Sequence, residues 1–113
     1  MKNQMQFAKQ TMSLLIENGA DVNQETPLGT PLMNAATNDW NIDLVDMLIT
    51  AGANINQTDV NGRSALFYAA AFNSNTILAK LLTADADVNI KDIYGKTYLD
   101  IERSDFFANI EEN

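Results

Sequence analysis

"NGADVNQ" at residues 18–24 is echoed by "AGANINQ" at 51–57 and "ADADVNI" at 84–90. Asn23, Asn56 and Asn89 lie 33 residues apart, as do Gly29, Gly62 and Gly95. Leu15, Leu48 and Leu81 keep the same interval, and so do Ile16, Ile49 and Leu82. A fixed period of this length marks a repeat array. Each unit is too small to bury its own apolar face and buries it against its neighbours.

The stretch 57–89 shows the grammar of one unit. Asp59-Val60-Asn61-Gly62 carries hairpin-turn chemistry, because Asn-Gly tolerates positive φ. Ser64 is placed to N-cap a short helix, "SALFYAAA", and Asn73 to end it in a left-handed conformation. In "NTILAKLLTA", Ile77, Leu78, Leu81 and Leu82 form an apolar stripe of helical period. The unit is hairpin, short helix, turn, longer helix. Residues 24–56 repeat it with one residue fewer between Gly29 and Leu32 than between Gly62 and Leu66. One residue more, around Asp39-Trp40-Asn41, restores the register. At the N-terminus, Phe7/Ala8, Thr11/Met12 and Leu15/Ile16 recur at four-residue steps and predict a helix over 5–17.

Composition excludes several function classes. The 113 residues contain no His and no Cys. That rules out Ser-His and Cys-His triads, disulfides and thiolate metal sites. Asp43 and Asp46 share a predicted helix face, but nothing nearby in the sequence would raise a carboxylate pKa, so a solvated face is expected. Asp85-x-Asp87-x-Asn89 begins like a calcium loop. Ile90 then replaces the required Gly and Lys96 the bidentate Glu, so no metal is expected. No phosphate-binding glycine loop occurs, and no cofactor is expected. The net charge of −8 disfavours nucleic acid; it either keeps a small protein soluble, the plainer reading, or steers a basic protein partner to the surface. No apolar run approaches the roughly 20 residues that span a bilayer, and no secretory signal is recognisable. A cytoplasmic location is the expectation, with no membrane association.

The phrases "GTPLMNAA", "LVDMLITAGANIN", "GRSALFYAA", "LAKLLTADADVN" and "SLLIENGADVN" together resemble the ankyrin repeat family, across nearly the whole chain. The resemblance implies a single all-α solenoid of helix-turn-helix units joined by β-hairpin loops, about three and a half repeats long. The units are an N-terminal half repeat over 1–23, repeats over 24–56 and 57–89, and a C-terminal capping repeat over 90–113. In the last unit, Thr97, Leu99 and Ile101 are expected on a first helix, and Phe106, Phe107 and Ile110 on a second. Asp85 stands where the family has Gly, and the family's inter-repeat histidine is missing throughout. The first helix of the first unit is also missing. The apolar strip it leaves is a place for Met1, Met5 and Phe7, or for a second copy of the chain.

Ankyrin proteins bind other proteins through hairpin tips and first helices. Carried over position by position, that surface comprises Thr26, Pro27, Leu28, Asn34, Asn38 and Trp40 from the first full unit. Val60, Asn61, Arg63 and Tyr68 come from the next, and Ile93, Tyr94, Lys96 and Ile101 from the last. Tyr, Trp and Arg are the types enriched at interface hot spots. Phe67 and Phe72 are expected to pack between units instead. The resemblance thus implies a non-enzymatic protein-binding module, a monomer or weak homodimer. The alternative is a self-associating piece of a longer array that uses its N-terminal end.

Overall fold

A computed structural model describes residues 10, 14, 16–26 and 29–106. Gln10, Leu14, Ile16 and Glu17 have helical backbone, as the four-residue steps predict. The rest of the 5–17 helix, with Met1, Met5 and Phe7, lies outside the described residues, as do Phe107 and Ile110. Two complete helix pairs follow. Helix α1 is Pro31–Ala35 and α2 is Ile42–Thr50, preceded by a 3-10 turn over Asp39–Asn41. Helix α3 is Ala65–Ala71 and α4 is Asn75–Thr83. Among the described residues no helix is long and apolar enough to cross a membrane.

The apolar stripe decides what each helix buries. Leu32 and Met33 of α1, Val45 and Leu48 of α2, Leu66 and Ala69 of α3, and Ile77 and Leu81 of α4 form one core. Burying a side chain of this size stabilises by about 1.5–3 kcal/mol, and no single pair of helices could supply the set. Helix α1 packs on both α2 and α3, so the core runs from one unit to the next.

The repeated polar letters lock adjacent units. Asn23 Oδ1 accepts the backbone N–H of Asn54 at 2.6 Å, and Asn56 Oδ1 accepts that of Asp87 at 2.8 Å. Asp21, Asn54 and Asp87 each accept the N–H two residues on, which holds the loop that presents the next asparagine. Polar side chains bonding loop backbone were expected here, and the bonds repeat with the sequence.

The left-handed positions fall where the sequence puts them. Asn73 has φ 57° and Asp85 φ 68°, so Asp85 adopts the conformation the family gives to Gly. Ser64 sits at the N-cap of α3, although its side chain makes no cap hydrogen bond. Helix α4 is capped from another unit. Asp39 accepts the N–H groups of Thr76 and Ile77, both at 3.1 Å. The inserted turn therefore carries a carboxylate onto the positive end of the neighbouring unit's helix.

The inter-unit loops are short hairpin turns, closed by the Asp59 N–H to the Arg63 carbonyl and the Asp92 N–H to the Lys96 carbonyl, both at 2.9 Å, and the isolated bridge Thr26–Gly29 is the one strand-like pairing among the described residues. One expectation needs correction. The last unit does not form its first helix, since residues 98–100 are a turn and Arg103–Phe106 a 3-10 helix. Leu99, which aligns with the buried Leu32 and Leu66, is 77% exposed, and Ile101 is buried in its stead. Asp100 stands where Phe67 fills the preceding unit, and a carboxylate cannot be buried there without a partner.

Each inter-unit bond has a measurable weight. Asn56→Ala is expected to cost about 1 kcal/mol, the net worth of one hydrogen bond. Asp39→Ala should cost about 1–2 kcal/mol, a lost cap. Urea unfolding curves with unchanged slope and lower midpoints would show both.

Candidate protein-binding surface

Each turn tip is built from one polar residue at a fixed place in the period: Thr26, Asp59 and Asp92, again 33 apart. Asp59 Oδ1 accepts the N–H groups of Asn61 and Arg63 at 2.8 and 3.0 Å. Asp92 Oδ1 accepts those of Tyr94 and Lys96, each at 2.9 Å. Thr26 donates its hydroxyl to the Gly29 carbonyl at 2.9 Å. Neighbouring tips are tied, because the Ile93 N–H donates to the Asn61 carbonyl at 3.0 Å. Gly62 has φ 76°, and a Cβ there would meet the Asp92 backbone at 3.2 Å, so only glycine lets the tips come this close.

This frame pushes apolar side chains into solvent. Val60 is 86% exposed and Ile93 61%, with Tyr94 exposed beside Ile93. Thr26 is exposed and Asn61 half-buried. Pro27 and Leu28 lie outside the described residues. Asn34 projects outward from α1. Trp40, 68% exposed, sits on the inserted 3-10 turn, whose N-terminus is capped by the Asn38 side chain. That turn follows the C-terminal end of α1, whereas the tips precede the N-terminal ends of the first helices. Trp40 and Asn38 are therefore not brought together with Val60 and Ile93.

Two of the expected contact residues belong to the frame. Arg63 is only 2% exposed. Its Nε donates to Asp92 Oδ2 at 3.1 Å and its Nη1 to the Asp105 carbonyl at 3.3 Å. The guanidinium also stands 4.8 Å from the Phe106 ring centre, a cation–π distance. Ile101 is buried against Phe67 and Ala71. Neither side chain offers a partner much surface. Phe67 and Phe72 pack between units as expected.

Tyr68 and Lys96 are intermediate. The Tyr68 hydroxyl donates to Asp59 Oδ2 at 2.5 Å, and its ring lies 4.7 Å from Phe106. Burial, then the hydrogen bond to the Asp59 carboxylate, pushes the phenol well above its usual range, so it stays a donor. Lys96 Nζ pairs with Asp105 Oδ1 at 3.0 Å. Burial pushes the Asp92 carboxyl up, but the N–H donors of Lys96 and Tyr94 and the Arg63 guanidinium together hold it below its usual range. The bond from the Glu102 N–H, then that from Lys96, lowers Asp105 likewise.

On the opposite side, an open cleft of about 390 Å³ is lined by Ile16, Glu17, Asp46, Met47, Thr50 and Ala51. Asp43 is exposed, and the half-buried Asp46 pairs with Lys80 at 2.8 Å. No cluster of metal-ligating side chains occurs among the described residues.

The role of Arg63 was hidden from pattern reading, since its partners Asp92 and Asp105 come from the following unit. The period offered one signal. Arg63 fills the position that the unit 24–56 lacks before its Thr30 cap.

Arg63→Ala should destabilise by about 3–5 kcal/mol, because it strands the buried Asp92 carboxylate. Asp92 and Asp105 have folded pKa values below the unfolded 3.8. Their stabilisation is complete above that pH and is lost as pH falls through the lower folded values. Denaturant midpoints measured from neutral pH downward should drop in that window, and less so in Asp92→Asn.

In a comparison with protein families, the model for ankyrin repeats in three copies matches residues 4–92. A comparison with curated proteins found no match.

Proposed function

This chain belongs to the ankyrin repeat family, and on that premise we propose that it is a non-enzymatic protein-binding module whose first contacts are the turn tips. Ankyrin repeats are generally protein–protein interaction modules. The observation that carries the assignment is the exposure of Val60 and Ile93 on turns fixed by side-chain hydrogen bonds. An apolar side chain held rigidly in solvent loses little entropy on binding and gains burial when covered. Tyr94 and Asn61 complete this ridge, and Trp40 is a second, separate anchor.

Charge acts at longer range than these contacts. A net charge of −8 draws a partner that is basic overall, by speeding encounter more than by strengthening the complex.

The test is affinity capture from the source cells with two baits, the native chain and one carrying Val60→Ser and Ile93→Ser. Both side chains are exposed, and each substitution should leave the unfolding free energy within about 0.5 kcal/mol. A protein retained by the native bait and lost from the variant is the expected result. Its release as salt rises would add the basic character of the partner. Equal retention by both baits would refute the tips as the contact, and recovery of nothing but the chain itself would favour self-association.

A further inference from the structure

The last described segment does not behave as a repeat. Arg103–Phe106 lies across the first helix of the preceding unit, with the Phe106 ring 4.7 Å from that of Tyr68 and 5.6 Å from that of Phe72. Two cations of the preceding elements meet it: Arg63 stacks on Phe106 and bonds the Asp105 carbonyl, and Lys96 pairs with the Asp105 carboxylate, while the segment's own Arg103 stands 5.0 Å from the Phe72 ring centre. Arg63 is itself paired with Asp92, so Lys96 is the cation that the segment's acid meets, beside an aromatic floor of Tyr68 and Phe72.

The segment itself is lightly built. Its turn closes through the Asp105 N–H to the Glu102 carbonyl at 3.0 Å and the Glu102 N–H to Asp105 Oδ2 at 2.8 Å, and Arg103 and Ser104 are exposed. Leu99 stands in solvent, and the buried Ile101 is the anchor that precedes the segment, out of the register that fixes the other units. A four-residue 3-10 helix has little stability of its own, and the contacts of Asp105 and Phe106 hold it down.

We propose that the face formed by Tyr68, Phe72, Arg63 and Lys96 is a peptide-binding site for a segment in which a carboxylate is followed directly by an aromatic, and that Asp105-Phe106 occupies it in cis. The site takes the acid on Lys96, the backbone carbonyl of the acidic residue on Arg63, and the ring between Arg63 and Tyr68. A partner carrying the same pair displaces the strap. The inference rests on the protein-binding assignment and names the chemistry of one contact segment. The −8 field acts on the partner as a whole, whereas this contact is made against local cations.

A tethered occupant acts at about millimolar effective concentration, so a free competitor binds the intact chain weakly. The probe is the synthetic peptide DIERSDF, residues 100–106, titrated by NMR into the full chain. Binding to a chain carrying Phe106→Ala should be at least about tenfold tighter than to the native chain, because the competent fraction rises. The ring signals of Tyr68 and Phe72 should shift, a scrambled peptide should not bind, and Lys96→Gln should weaken the effect. Equal binding to native and variant chains, or none to a folded variant, overturns the proposal. If Phe106→Ala fails to fold, hydrogen exchange at the Arg63 Nε–H of the native chain decides. Exchange through an opening well below global unfolding supports a detachable strap, and exchange only with global unfolding refutes it. The peptide assay does not touch Val60 or Ile93, so failure here leaves the tip assignment standing, and the converse holds.

Discussion

One side-chain amide per unit holds the array in register. Asn23 and Asn56 each accept from the backbone of the next unit, and the donating N–H groups belong to exposed loops that no helix or sheet would otherwise order. Without that bond a loop N–H would be left to water, and the tip that follows it would lose its anchor. With the bond, the loop of one unit is set by its neighbour, and the tip aspartates then fix where Val60 and Ile93 stand. The apolar core shared by the four helices supplies the main driving force, but apolar contacts alone do not specify register.

The departures from strict repetition are where units are joined by charge. Asp39, on the inserted residue, caps α4 across the unit boundary, where the local Ser74 makes no such bond. Arg63, on a position the preceding unit lacks, reaches into the following one. The family's inter-unit histidine is absent here. These two charged links tie one unit to the next at other places in the period. A buried arginine with a carboxylate, a carbonyl and an aromatic ring is better satisfied than an isolated ion pair, which offsets its desolvation.

The repeat, the helix pairs and the left-handed Asn73 and Asp85 were legible in the sequence because local chemistry and a fixed period agree at those positions. The exposed tips were legible too, through apolar Val60 and Ile93 in turn sequences. Arg63 and Ile101 were misplaced for a different reason. Position in the period predicts direction only while the helix keeps its phase, and the last unit loses it at Asp100. Arg63 has the length to turn back under Phe106, which a register argument cannot see. The cross-unit cap of Asp39 escaped as well, because an insertion carries no period to compare it with.

The loops are held because each is tied to its neighbour by a side-chain amide. Hydrogen exchange at the backbone amides of Asn54 and Asp87 in the native chain reads those ties. Both amides lie in exposed loops and should show protection well above that of an open loop, lost at Asp87 when Asn56 is replaced by Ala. Exchange of both amides at the rate of an unstructured peptide would contradict it, and with it the preformed surface built on those loops.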